Sequence, residues 1–175
     1  MKKGWMLLLA LVALLGALPA QAGVTKDGEK LFLENLKKAI PQERVATVDA
    51  LHDKWLEVQA GKSKAVIIDI RTHDEFDAGH ILGSNNVDSG HAYTMPDKFE
   101  DPESEIWVLC RTKHRASYFV GELYNYGYKN VYMVDGGIVG WIEKGYPLVN
   151  EYLGELQVTK YNKKLKEDYL LREGH

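Results

Sequence analysis

The chain has a single cysteine, Cys110, in the segment CRTKHRAS at residues 110–117. An apolar run at residues 106–109 precedes it and a helical pattern follows from residue 116, so the thiol is predicted at the end of a strand. The neighbouring side chains that are cationic, or can become so, are Arg111, Lys113, His114 and Arg115. Cationic side chains and the N-terminus of a helix both favour a thiolate over a thiol. The segment therefore predicts a nucleophile inside a loop that binds anions.

The residue types of this loop predict separate roles. We expect Cys110 to be the catalytic nucleophile, and we expect the substrate to bind Arg111, Thr112, Lys113, His114 and Arg115. The planar guanidinium of Arg115 suits either a clasp on loop carbonyls or a ligand for an oxyanion, and the sequence leaves both open. Arg111 and Lys113 are expected to face outward and attract anions. Thr112 is expected to contribute its backbone, and His114 to hydrogen-bond the donor or the acceptor.

Apolar patterns place this loop in an α/β fold. Residues 65–70, 106–110 and 131–134 are almost entirely apolar, as in parallel strands that are covered on both faces. Residues 116–126 have helical spacing and connect the last two of these strands as a βαβ unit. We expect a central, mostly parallel sheet with helices on both faces, a three-layer α/β/α arrangement. Cys110 then lies at the carboxyl end of a strand, where such sheets bind ligands.

The sequence divides into one domain with two additions. Residues 45–149 form the predicted domain. Residues 23–44 contain a lead-in helix that is expected to pack on the domain, with an apolar face formed by Leu31, Phe32, Leu36 and Ile40. Residues 150–175 form a charged tail, which we expect to be partly helical.

Residues 1–22 have the pattern of a secretory signal. Lys2 and Lys3 precede an apolar run, and Ala20-Gln21-Ala22 offers the small residues that signal peptidase reads. We expect cleavage after Ala22 and export to a periplasm. We expect no membrane anchor afterwards, because the apolar run is shorter than the ~20 residues of a spanning helix. The net charge of −3 becomes more negative when the two lysines are removed. A negative balance gives no general attraction for nucleic acid or anionic lipid.

Export gives the lone cysteine a particular meaning. Exported domains usually pair their cysteines in disulfides, and here no partner exists. Cys110 is therefore either a buried, inert side chain or a free reactive thiol. The surrounding cations favour the reactive thiol.

Three segments resemble the rhodanese family. CRTKHRAS resembles its active-site loop, with Cys110 and Arg115 enclosing four residues. IIDIRTHDEFDAGHILGSNNV, residues 67–87, resembles the Asp-x-Arg and Glu-Phe-x-x-Gly-His-Ile-x-Gly-Ser segment of that family. VDGGIVGWIEKGYPLV, residues 134–149, resembles its closing Gly-Gly, Trp and Gly-x-Pro segment. The three occur in order and span most of the predicted domain.

The resemblance implies a sulfurtransferase. Such an enzyme moves a sulfane sulfur from thiosulfate or a similar small anionic donor, through a Cys110 persulfide, to cyanide or a thiol, which can belong to a protein. The resemblance implies no metal and no organic cofactor. It gives Asp69, Arg71 and His80 a structural role near the site, which agrees with the need to satisfy backbone groups at strand ends.

Two other functions stay open on the sequence. The first is a persulfide carrier or binding module that serves a partner protein, with the lead-in helix and the tail as docking surfaces. The second is a phosphatase or arsenate reductase on the same fold. Such phosphatases resemble this loop but enclose five residues between cysteine and arginine, whereas Cys110 and Arg115 enclose four, which disfavours phosphate.

Overall fold

The structure, a computed structural model, describes residues 25–158 and has a parallel sheet at its centre. The strands are β1 (Val45–Ala46), β2 (Val66–Asp69), β3 (Asn85–Asn86), β4 (Ile106–Leu109) and β5 (Val131–Val134). Their order across the sheet is β1-β5-β4-β2-β3, and every neighbouring pair is parallel. The strand that leads to Cys110, β4, is thus the middle strand, and the three predicted apolar strands are confirmed.

Helices cover both faces of the sheet. They are α1 (Lys26–Ala39), α2 (Val48–Gln59), α3 (His73–Ala78), α4 (Met95–Lys98), α5 (His114–Asn125) and α6 (Gly137–Glu143). Successive strand residues enter two different cores: Val108 packs with Phe119 of α5, and Trp107 packs with Leu51 of α2 and Trp141 of α6. The predicted three-layer α/β/α arrangement is therefore confirmed.

The lead-in helix is present, and half of its predicted apolar face, Leu36 and Ile40, is buried. The helix begins after Thr25, whose hydroxyl accepts the N–H of Gly28, and it buries Leu33 and Leu36 against α5. Gly121 of α5 allows this close packing, because an added Cβ there would lie 2.8 Å from Leu36 Cβ. Two residues of the predicted apolar face, Leu31 and Phe32, are instead 57% and 52% exposed. The contact with a single helix buries only a narrow stripe of α1.

The beginning of the predicted tail is a hairpin and not a helix. Strand β6 (Leu148–Asn150) pairs antiparallel with β7 (Gly154–Leu156). The side chain of Asn150 accepts the N–H groups of Tyr152 and Leu153 and so fixes the turn between the strands. The remainder of the predicted tail, from residue 159, and the predicted signal at residues 1–22 lie outside the described residues. No helix within residues 25–158 has the length and apolar character needed to cross a membrane.

Candidate active site

Cys110 lies directly after the middle strand and is 1% exposed. Its side chain belongs to the core between the sheet and α5. The main chain that follows the thiol is held by the start of α6: the N–H of Ile138 donates to the Cys110 carbonyl at 2.9 Å, and that of Val139 donates to the Arg111 carbonyl at 3.1 Å. The thiol is therefore fixed at the carboxyl edge of the sheet, as the sequence predicts.

Gly137 makes this support possible. Its φ of +53° lies in the left-handed region, and a Cβ added to it would overlap the Cys110 carbonyl oxygen and lie 2.8 Å from the Arg111 carbonyl. The preceding Gly136 also has a positive φ, of +99°. The two glycines therefore allow the backbone of α6 to approach the loop more closely than any residue with a side chain could.

Helix α5 begins two residues earlier than predicted, at His114. The first N–H that bonds back into the loop is that of Ser117, which donates to the Lys113 carbonyl at 2.9 Å. Within residues 25–158, the N–H groups of residues 111–116 donate to no protein oxygen. Donors of this kind, together with the positive end of the helix dipole, bind anions. The loop thus offers amide donors next to Cys110.

Arg115 forms a two-point ion pair with Glu75 of α3. Nη1 and Nη2 of Arg115 donate to Oε2 and Oε1 of Glu75 at 2.8 and 3.0 Å. Burial by itself would raise the pKa of Glu75, but the hydrogen bonds and charge of Arg115 outweigh it, so the pKa lies below its ordinary value. The same hydrogen bonds raise the pKa of Arg115. Arg115 thus clasps α3, whereas the sequence suggested loop carbonyls or an oxyanion as its partner.

The residues expected to be structural form a scaffold beneath this clasp. Asp69 and Arg71 are buried and joined through Nη2 and Oδ2 at 2.7 Å, and Nη2 of Arg71 also donates to the Gly79 carbonyl at 2.8 Å. Nδ1 of His80 lies 2.9 Å from the Phe76 carbonyl oxygen, and its ring stacks on Phe76. These contacts join the end of β2 to α3 and so position Glu75.

The remaining loop side chains are exposed at its rim. Lys113 donates to Oδ2 of Asp135 at 3.1 Å, and Nε2 of His114 lies 3.7 Å from Oε1 of Glu29 on α1. Arg111 and Thr112 are exposed as well. Among the described residues, the guanidinium of Arg111 has no carboxylate partner.

Sequence reasoning did not find the partners of the loop. Glu75 is present in the sequence as the Glu of the Glu-Phe segment at residues 75–76, and the structure also places it in a capping box with Thr72 at the start of α3. Glu29 lies in the helix α1 and Asp135 directly after the strand β5. Nothing in the residues next to either one indicates that it pairs with a side chain of the loop. Gly136 and Gly137 stand in the sequence as the Gly-Gly pair of the third segment, and their contact with the loop appears only in three dimensions. Within residues 25–158 no cluster of His, Cys, Asp and Glu side chains is arranged to hold a metal ion.

The geometry defines an α/β protein whose candidate nucleophile sits at the carboxyl end of the middle strand of a covered parallel sheet. Comparison with known proteins makes the class specific. The model of the rhodanese-like domain family matches residues 52–144, which is more than half of the chain. The chain therefore belongs to the rhodanese-like domain family.

Relatives and solved structures agree with this assignment. The chain is 27% identical over 131 residues to "Thiosulfate sulfurtransferase 18" of Arabidopsis thaliana, covering 67% of this chain and 93% of that protein. It is 35% identical over 79 residues to "Thiosulfate sulfurtransferase GlpE" of Stutzerimonas stutzeri, covering 44% and 70%. The structure is similar to that of a rhodanese-related protein of Thermoplasma volcanium, with a TM-score of 0.52 and 27% identity, covering 62% of this chain and 99% of that one. The family is thus one that includes sulfurtransferases.

Proposed function

We propose that this protein is a sulfurtransferase that moves a sulfane sulfur from thiosulfate or a similar small anionic donor, through a Cys110 persulfide, to cyanide or a thiol. The observation that carries the proposal is the position of Cys110. It is the chain's only thiol, and it is held at the carboxyl end of β4, directly before loop residues whose amide groups have no protein acceptor among the described residues. The relatives named thiosulfate sulfurtransferase support the same reaction class.

In the first step, the Cys110 thiolate attacks the outer sulfur of thiosulfate. A bond forms between Sγ and the outer sulfur, the sulfur–sulfur bond of thiosulfate breaks, and sulfite leaves with the electron pair. In the second step, a nucleophilic acceptor attacks the outer sulfur of the persulfide and releases Cys110 as a thiolate. Amide donors and the dipole of α5 stabilise the negative charge in both steps.

The contacts of the loop divide its cations between two tasks. Arg115, bonded at two points to Glu75, keeps the loop closed and is a positioning residue. Arg111 is exposed and without a carboxylate partner among the described residues, so it attracts the donor. The charge of Lys113 is partly balanced by Asp135, which reduces its contribution. Asp69, Arg71 and His80 support the loop through α3 and do not contact the substrate.

Mass spectrometry after incubation with thiosulfate tests the proposal. We expect the mature protein to gain one sulfur atom on Cys110, to lose it on addition of cyanide, and to gain none as Cys110→Ser. A protein that stays unmodified with several sulfane donors but hydrolyses an aryl phosphate is a phosphatase and not a sulfurtransferase. A protein that loads sulfur, reacts poorly with small thiols and exchanges rapidly with one co-purifying protein is a persulfide carrier.

Export is a separate part of the proposal. The signal-like pattern of residues 1–22 supports cleavage after Ala22 and a periplasmic location. Cell fractionation together with N-terminal sequencing tests it, and the expected mature N-terminus is Gly23. A protein that retains Met1 and fractionates with the cytoplasm contradicts this part and leaves the chemistry of Cys110 unaffected.

A further inference from the structure

A cavity lies at the amino edge of the sheet, at the opposite edge from Cys110. Its volume is about 290 Å³ including its open mouth. Residues 96–102 on one side of the cavity precede β4, and residues 126–128 on the other side precede β5, whereas Cys110 follows β4. The cavity is therefore separate from the candidate active site. Its lining consists of two prolines, three aromatic residues and one carboxylate: Pro96, Phe99, Glu100, Pro102, Tyr126 and Tyr128.

Hydrogen bonds join the two walls of this cavity. The hydroxyl of Tyr128, a residue that is 5% exposed, donates to the Phe99 carbonyl at 2.6 Å. Burial raises the pKa of this hydroxyl, so it remains a donor at neutral pH. The N–H of Lys129 donates to the Pro102 carbonyl at 2.9 Å. The cavity is thus formed before a ligand arrives, which lowers the entropic cost of binding.

The surface around the cavity is acidic. Residues 97–103 contain four carboxylates and one lysine. Within residues 25–158, Glu103 is the one of these carboxylates that has a cationic partner, Lys129 at 2.8 Å. The carboxylate of Glu100, which lines the cavity, is unpaired in this part of the chain. An apolar ligand would cover this carboxylate without giving it a partner, at a cost in free energy, whereas a cationic ligand supplies the partner.

The size and the walls of the cavity favour an arginine side chain as that cation. Small molecules bind in cavities of about 300–1,000 Å³, so a volume at or below this range suits one side chain better than a whole metabolite. Proline and aromatic walls suit the apolar stem of arginine. Tyr126 is 45% exposed, and its ring and the Glu100 carboxylate line the same cavity. A planar guanidinium stacks on such a ring and pairs with such a carboxylate, whereas the more strongly hydrated ammonium of lysine does not stack.

We propose that this cavity binds an arginine side chain from a basic segment of a partner protein. The stem of the arginine packs against the proline and aromatic walls, and its guanidinium stacks on Tyr126 and pairs with Glu100. Because the cavity lies at the edge of the sheet opposite Cys110, a partner that is held there leaves the loop at residues 110–115 open to its substrates. The binding site does not depend on sulfur transfer, so either can fail without the other.

The test is an NMR titration of the ¹⁵N-labelled mature protein with the peptide acetyl-Ala-Ala-Arg-Ala-Ala-amide. A single side chain binds weakly, so we expect a dissociation constant on the order of 1 mM. The amide signals of Glu100 and Tyr126 should shift, and those of residues 111–116 should not. The same peptide with citrulline, which has the shape of arginine without its charge, should bind about five- to ten-fold more weakly. Equal affinity for the two peptides, shifts confined to residues 111–116, or no shifts at all overturns the inference.

Variants assign the binding to the two residues. Glu100→Gln and Tyr126→Ala should each weaken the arginine peptide by about three- to five-fold. The matched controls Glu34→Gln and Tyr152→Ala, which change exposed residues outside the cavity, should leave its affinity unchanged. All four variants should load sulfur from thiosulfate at the wild-type rate.

Sedimentation of the protein alone distinguishes the partner from a second copy of this chain. We expect the wild type to keep one mass as its concentration rises. A mass that doubles for the wild type and stays constant for Glu100→Gln identifies a second copy as the occupant and overturns the inference. A wild type that takes no sulfur from thiosulfate but binds the arginine peptide overturns the proposed function instead.

Discussion

Replacing Glu75 by Gln removes the charge that holds Arg115 while leaving the side-chain shape almost unchanged. In the wild type both carboxylate oxygens accept from Arg115, at 2.8 and 3.0 Å, and Thr72 donates to the same carboxylate through its N–H at 3.2 Å. A carboxamide offers one acceptor oxygen and an NH₂ group that faces the guanidinium. The clasp between α3 and the loop is therefore opened with little change in packing.

The exposure of the two side chains sets the expected loss in the free energy of unfolding. Arg115 and Glu75 are 31% and 22% exposed, so the pair is neither a surface pair nor a fully buried one. Exposed pairs contribute about 0.2–1 kcal/mol, and breaking a buried pair costs about 3–5 kcal/mol. We expect Glu75→Gln to lower the free energy of unfolding at pH 7 by about 1–2 kcal/mol, between these limits.

The loss of stability caused by Glu75→Gln should become smaller as the pH falls. Because the pKa of Glu75 is depressed in the folded protein, its contribution to stability is complete above its ordinary pKa of 4.5 and is lost as the pH falls through the folded value. Glutamine takes up no such proton. Urea denaturation from pH 7 down to pH 3 should therefore show the difference between wild type and variant shrinking below about pH 4.5.

The control and the refuting result use the same measurements. Glu34→Gln removes an exposed carboxylate of α1 and should change the free energy of unfolding by less than about 0.5 kcal/mol. Glu75→Gln should also slow sulfur loading of Cys110 by thiosulfate, because Arg115 is no longer fixed. A variant as stable as the wild type at pH 7, with unchanged loading, would show that this ion pair does not hold the loop.

Three further predictions concern the residues around the clasp. Gly137→Ala should destabilise by about 3 kcal/mol or more, since it combines a left-handed φ with a backbone clash; the control Gly145→Ala, at φ +74° with nothing within 4 Å, should cost about 1–2 kcal/mol in urea denaturation. Asp69→Asn should lower the free energy of unfolding by about 3–5 kcal/mol, because it leaves the buried guanidinium of Arg71 without a carboxylate partner. An equal loss in the control Asp135→Asn, which removes an exposed carboxylate, would contradict this reasoning. Arg115→Ala should slow sulfur transfer far more than Lys113→Ala, and equal rates would reject Arg115 as the clasp.

Local pattern predicted most of the elements that position Cys110. The apolar runs at β2, β4 and β5 and the helical spacing of α5 predicted these elements to within about two residues. This is possible because burial on both faces of a parallel strand, and on one face of a helix, imposes a short-range repeat. The start of the tail is less well predicted: the sequence indicates a partly helical tail, whereas its described part, up to residue 158, turns into a hairpin at Asn150 and Gly154.

The partners of the loop could not be predicted in this way. Arg115 is bound by a carboxylate 40 positions away, and Lys113 by one 22 positions away. An acidic side chain has the same local signature whether it faces water or an arginine, because its partner is chosen by the arrangement of whole elements. The exposure of Leu31 and Phe32 has the same origin, since it depends on how much of α1 the neighbouring helix covers.

The sequence by itself determined the layered sheet, the placement of its one thiol at a strand end and the cations beside that thiol, because each is encoded by neighbouring residues. Only the tertiary structure decided what those cations do. It joined Arg115 to Glu75, Lys113 to Asp135 and His114 to Glu29 by bringing three separate elements to one edge of the sheet. Charge pairs form between whichever groups the packed backbone brings within a few ångströms, and that proximity has no repeat along the chain.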